Sequence, residues 1–211
     1  QEVAAHLTFG TATSSYQIEG AARVGGRTPS IWDTFAEIPG KVWNGDTGQV
    51  ACDHYHRFKE DVQIMKELGV ESYRFSIAWP RIFPYEGQYN EEGMQFYKEL
   101  IAELQANDIK AVATLYHWDM PQWAQDQGGW TSRKSLEWFR TYAKKVFEEL
   151  DDVVDSWITQ NEPWCASFLS YHLGVHAPGH TNMEEAVKAA HHILLSHGQS
   201  VLLLKEELQS S

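Results

Sequence analysis

The sequence predicts an α/β fold of four βα units with parallel strands, gathered in one domain over residues 1–211. Three observations predict it. Four short β-type runs each precede a segment of helical period. Strands alternating with helices imply parallel pairing through right-handed crossovers. Polar and aromatic residues gather just after each run, where parallel sheets carry their chemistry.

The first run is Leu7 to Thr13, "LTFGTAT". A long polar stretch rich in Gly and Pro follows and reads as a loop. A helix is then expected over about Asp53 to Leu68, with Phe58, Val62, Met65 and Leu68 or Gly69 on one face. The second run is Ser72 to Trp79. Its helix starts near Asn90, an expected N-cap with Glu91 and Glu92 in the first turn, and its stripe is Met94, Tyr97, Ile101 and Leu104. The third run is Lys110 to Tyr116. Its helix starts near Ser132 and should bury Leu136, Phe139, Ala143, Val146 and Leu150. The fourth run is Asp155 to Gln160. Its helix starts near Asn182, with Glu185 placed as in a capping box. Ala186, Ala190, Ile193, His197, Val201, Leu204 and Leu208 are expected along one side.

Composition narrows the function. A hydrophobic share of 43% over 211 residues is enough for a real core. Seventeen basic against 29 acidic residues give a net charge of −12, which disfavours nucleic acid and anionic membranes as partners. Cys52 and Cys165 form no disulfide framework, no run approaches a membrane span, and the first residues lack a signal-peptide pattern. These features lead to the expectation of a soluble, cytoplasmic protein. Phe, Tyr and Trp number nine each. The tryptophans fit either half-buried packing or a site that stacks on flat apolar faces such as sugar rings.

The clusters after the runs hold the chemistry. Gln17 and Glu19 follow the first, Trp79 and Arg81 the second, His117, Trp118 and Asp119 the third, and Asn161 and Glu162 the fourth. All four share one rim. Glu162, between an apolar strand and Trp164, is the candidate general acid, because partial desolvation favours a protonated carboxyl. Asn161 beside it suits a substrate hydroxyl, and Gln17, His117 and Trp118 suit the same ring. A plain helix start with Pro163 at its first position also fits. Arg74 lies within the second run, and alternation does not fix its face. His54 and His56 are two apart, with no third ligand at a recognised spacing. No metal and no cofactor is therefore expected.

The motifs, taken together, resemble the N-terminal half of a family 1 glycoside hydrolase of the β-glucosidase type. They are "FGTATSSYQIEGA" from Phe9, "PSIWDTF" from Pro29, "GDTGQVACDHYHRFKEDV" from Gly45 and "YRFSIAWPRIFP" from Tyr73. "TLYHWDMPQW" from Thr114, "ITQNEPW" from Ile158 and "GVHAPG" from Gly174 complete the set. The resemblance implies half of a (β/α)8 TIM barrel. It implies that Glu162 is the acid/base residue, that Asn161 binds the sugar 2-hydroxyl, and that Gln17 and His117 bind sugar hydroxyls beside Trp118. It further implies that Arg74 supports the nucleophile and that Trp164 lies on the aglycone side. Two departures stand out: Gln160 replaces an apolar residue, and "LDDVVDSW" is unusually acidic.

Retaining glycosidases need a second carboxyl as nucleophile. In this family it lies on a later strand, in a "TENG"-like motif that this sequence lacks. The chain is therefore expected to leave two parallel sheet edges open. Its expected partners are a β-glucoside substrate and either a complementary C-terminal half-barrel or a second copy of itself. The isolated chain is expected to be weakly active or inactive. A non-catalytic, self-associating half-barrel that binds sugars or flat aromatic ligands is the alternative.

Overall fold

A computed structural model describes residues 7–208. Four strands form one parallel sheet in the order β1-β2-β3-β4. They are β1 (Gly10–Ala12), β2 (Ser72–Ser76), β3 (Lys110–Tyr116) and β4 (Ser156–Gln160). Register pairs Thr11 with Tyr73, Tyr73 with Ala111, and Ala113 with Trp157. These residues share one face of the sheet because side chains alternate along a strand. Ala12, Arg74, Val112, Thr114 and Ile158 lie on the other.

The first face is roofed by helices. In chain order the helices are α1 (Ser15–Ile18), α2 (Ile31–Ala36), α3 (His54–Glu67) and α4 (Trp79–Ile82). They continue with α5 (Glu91–Ala106), α6 (Gln122–Gln125), α7 (Ser135–Leu150) and α8 (Met183–Leu202). The stripes of α5 and α7 are buried as periodicity requires: Met94, Tyr97, Ile101 and Leu104, then Leu136, Phe139, Ala143, Val146 and Leu150. The core between α7 and the sheet is aromatic. Trp79, fully buried, stacks on Tyr142 at 5.3 Å and meets Phe139 edge-on at 5.4 Å. Trp130 is equally buried beside it.

Several local expectations change. Leu68 is 73% exposed, because α3 turns off at Glu67 and the following Gly69 takes a positive φ. Asn90 does not cap α5 with its side chain. Its amide reaches back to the carbonyls of Gly25 and Arg81, pinning the first long loop. Asn182 does cap α8, accepting from the N–H groups of Glu184 and Glu185. The reciprocal half of the box is missing, since the Glu185 carboxylate is taken by His180 at 2.6 Å. The buried face of α8 is Ala186, Ala189, His192, Ile193, Ser196 and Ser200; Ala186 and Ile193 are as expected, the buried positions 189, 196 and 200 lie one before the expected Ala190, His197 and Val201, and His197 is exposed. Serines replace apolar residues there because Ser196 accepts a hydrogen bond from Gln160 of β4. That contact accounts for the polar residue before Asn161. The long loop also holds α2, with a full capping box between Ser30 and Asp33.

The acidic stretch before β4 has structural work. Asp155 accepts from the Ala111 N–H at 2.8 Å, and Asp151 from the Trp157 indole at 2.8 Å. At the far edge β1 is exposed along all three residues. Thr11 and Thr13 there line a hollow of about 270 Å³ with Ile64 and Met65 of α3. Among the described residues, no helix is long and apolar enough to cross a membrane.

Candidate active site

The four strand exits converge on one rim, but not every residue there is open to solvent. Glu19, Trp79, Arg81 and Asp119 are buried. Arg81 donates through Nε and Nη2 to Glu19 Oε2, at 3.3 and 3.0 Å. Tyr97 donates to the other Glu19 oxygen at 2.6 Å, and the Arg81 guanidinium lies 4.4 Å from the Tyr55 ring centroid. This pair locks α1 to α4 with its charges fully matched. The sequence clusters thus mix two jobs that composition does not separate.

The residues that remain form a connected set. Arg74 points to the helix-free face and, half-buried, donates to Asn161 Oδ1 at 2.6 Å and Thr114 Oγ1 at 3.3 Å. Among the described residues no carboxylate pairs with it. With Oδ1 engaged, Asn161 Nδ2 donates to His117 Nε2 at 3.2 Å, which places the His117 proton on Nδ1. The Asn161 carbonyl accepts from the Trp118 indole at 3.0 Å. The Asn161 N–H donates to Tyr116 O at 2.9 Å. Asn161 is only 8% exposed, so it is held at four points.

Electrostatics follow from this packing. Burial, reinforced by the Arg74 charge, lowers the His117 pKa to about 4, against an opposing pull from Glu162. His117 is therefore neutral near pH 7. Burial raises the Asp119 pKa to about 7 despite the hydrogen bond from Ser15. Burial also raises the Cys165 thiol pKa, assisted by a hydrogen bond and charge from Glu162.

Gln17, His117 and Trp118 line one cleft with Ser14, Tyr16 and Trp32, of about 130 Å³. Trp32 was not singled out in the sequence; its ring stacks at 6.4 Å on Trp118 and meets His176 at 5.4 Å. Its place inside "PSIWDTF" was the available signal, hidden by reading that stretch as loop. Glu162 is exposed and, like Trp118, holds a left-handed backbone, with φ of 47° against 76°. Such conformations in non-glycine residues gather at functional sites. Trp164 is 58% exposed and stacks on Phe168 at 6.0 Å, apart from the cleft residues. The chain thus brings Gln17, Arg74, His117, Trp118 and Asn161 together, with Glu162 beside them and Trp164 outside.

Among the described residues no histidine pair gathers for a metal. His54 is bonded to Asp61 and His56 to Asp53, and among the described residues no group of three ligating side chains could hold an ion.

The sequence matches the family model for glycosyl hydrolase family 1 over residues 1–211. It is 50% identical over 199 residues to beta-glucosidase A of Acetivibrio thermocellus, covering 94% of this chain and 44% of that protein. It is 53% identical over 194 residues to a beta-glucosidase of Agrobacterium sp., covering 92% and 42%. The crystal structure of the GH1 beta-glucosidase from Exiguobacterium antarcticum B7 matches with a TM-score of 0.95 at 66% identity, over 97% of this chain and 46% of that one. The chain therefore spans about half the length of the relatives it matches. Its four parallel strands amount to half of a (β/α)8 barrel. Matched along its whole length and in fold, the chain belongs to glycosyl hydrolase family 1.

Proposed function

We propose that this chain supplies the acid/base half of a retaining β-glucosidase site, completed by a nucleophilic carboxylate on a complementary half-barrel. The observation that carries the reading is the hydrogen-bonded chain from Arg74 within β2 through Asn161 at the exit of β4 to His117 at the exit of β3, with exposed Glu162 next to it. Gln17, His117 and Asn161 would hold the hydroxyls of a glucosyl ring, Trp118 would pack on it, and Trp164 would meet the aglycone. Arg74, facing the open side without a carboxylate, would support the nucleophile.

In the reaction the nucleophile attacks the anomeric carbon while Glu162 gives its proton to the departing glycosidic oxygen. Water then attacks the glycosyl-enzyme, Glu162 takes the water's proton, and the nucleophile leaves. The two carboxyl groups must stand about 5–5.5 Å apart. Glu162 also needs the second wall to exclude water and keep it protonated.

The test is hydrolysis of p-nitrophenyl β-glucoside by the chain alone, and by the chain mixed with the C-terminal four βα units of a family member. Turnover is expected to be negligible alone, to appear in the mixture, and to fall by about 10²–10⁴ in Glu162→Gln. Equal turnover in the variant would sink the reading.

One observation favours a second reading. Thr11 of the bare β1 edge, together with Thr13, flanks a hollow with Ile64, and Leu7, Phe9, Ile64 and Leu68 are all more than half exposed. In that reading the chain pairs with a second copy and catalyses nothing. A stable dimer in sedimentation, with hydrolysis never depending on Glu162, would distinguish it.

A further inference from the structure

Asp119 is 0% exposed, and one of its two oxygens, Oδ1, has no partner among the described residues. A buried acceptor left unpaired works against folding, so the carboxyl calls for a reason. Its other oxygen, Oδ2, accepts from Ser15 Oγ at 2.5 Å. The Ser15 N–H donates to Ser76 Oγ at 2.7 Å, and Ser76 Oγ donates to Ser15 Oγ at 3.1 Å. Three strand exits are thereby tied: the start of α1, the last residue of β2, and the turn after β3.

Those exits carry the two walls of the cleft. Ser15 opens α1, which presents Gln17, and Ser14 and Tyr16 line the cleft on either side of it. Asp119 directly follows His117 and Trp118, which form the opposite wall. Among the described residues, the Ser15–Asp119 bond is the only side-chain hydrogen bond joining residues 14–18 to residues 117–119. The other tie is Trp32, whose ring lies 6.0 Å from Tyr16 and 6.4 Å from Trp118. Ring contacts tolerate sliding, whereas a short hydrogen bond between buried groups fixes a distance.

We infer that Asp119 is a positioning residue, setting through Ser15 the spacing between the Gln17 wall and the His117–Trp118 wall. Its consequence for sugar binding rests on the cleft being the glucosyl site proposed above. The spacing itself does not, and can be read on this chain alone.

The experiment compares Ser15→Ala, Asp119→Ala and Asp119→Asn in the 211-residue chain by NMR. The signals are the Gln17 side-chain amide and the Trp118 indole N–H, with the indole N–H of Trp157, bonded to Asp151 and packed on Phe147, as a packing control. Ser15→Ala and Asp119→Ala should shift both cleft signals and leave the Trp157 control in place. Asp119→Asn keeps an oxygen that accepts from Ser15, and should bring the cleft signals back toward their native positions. Cleft signals unmoved in Ser15→Ala, or moved as far by Asn as by Ala, would overturn the assignment. Ser15→Ala removes one hydroxyl and carries the comparison if Asp119→Ala does not fold. In the two-chain mixture, Ser15→Ala should raise KM about tenfold, the size of one lost hydrogen bond, with kcat little changed. If the unaltered mixture hydrolyses nothing, the proposed function falls while the NMR comparison still decides the spacing.

Discussion

The exits of β3 and β4 differ in how finished they are. Both place a non-glycine residue in the left-handed region, Trp118 and Glu162. After β3 each of the three residues has an anchor on another segment: His117 on Asn161, Trp118 on the Asn161 carbonyl and Trp32, and Asp119 on Ser15. After β4 Asn161 is held by the neighbouring strands, while Glu162 and Trp164 are exposed and meet Cys165 and Phe168 of their own segment. Under the proposed function, the difference teaches that recognition and chemistry need different amounts of the fold. A cleft that orients a ring can be built from neighbouring strands. A carboxyl that must stay protonated needs a wall across the barrel to keep water away.

The comparison breaks most visibly at the base of the finished side. Trp79, packed under the β3 exit against Tyr116 and Tyr142, should cost about 3–5 kcal/mol of stability on Trp79→Ala. Urea unfolding measures this, and a loss under about 1 kcal/mol would show that the aromatic core does not support the exit.

The next effect is a pH slope. Asp119 is an acid whose folded pKa is raised to about 7, so the native state holds its proton more tightly than the unfolded chain. Stability should therefore fall as pH rises from the ordinary carboxylate range toward 7. His117 acts oppositely. Its pKa is lowered to about 4, so stability should rise from about 4 to its ordinary value near 6.5 and then level off. The two slopes offset in the parent chain. Asp119→Asn should leave only the rising one, and unfolding midpoints at pH 5, 6 and 7 that track the parent would contradict this.

The open side should be quiet in the same assays. Glu162→Gln should change stability by no more than about 0.5 kcal/mol even where it removes hydrolysis. A larger loss would mean that the contact of Glu162 with Cys165 already supports the fold. The smallest effect is expected from Trp164→Ala, whose exposed ring gives up only its stacking on Phe168. Unfolding within about 0.5 kcal/mol of the parent chain would match that exposure.

Much of this was legible in the residues. β3 and the stripes of α5 and α7 fall where period and propensity place them, because each depends on spacing within one segment. The motif around Asn161 and Glu162 also announced its position at a strand exit. The stripe of α8 was read rightly at Ala186 and Ile193 but one position off at Ala190, His197 and Val201, since Ser196 is buried for a contact with Gln160 of β4 rather than for apolarity. Asn90 looked like a cap until the loop carbonyls of Gly25 and Arg81 claimed its amide.

The sequence by itself determined the order of elements, the family, and which residue types would crowd one rim. Local pattern suffices for these, because backbone propensity and side-chain period act over a few residues. Only the tertiary structure decided which rim residues face the cleft and which hold it together. Glu19 meets Arg81 across 62 positions, Ser15 meets Asp119 across 104, and Arg74 meets Asn161 across 87. Strand register and helix packing create those meetings, and desolvation at the meeting point then sets which groups carry charge.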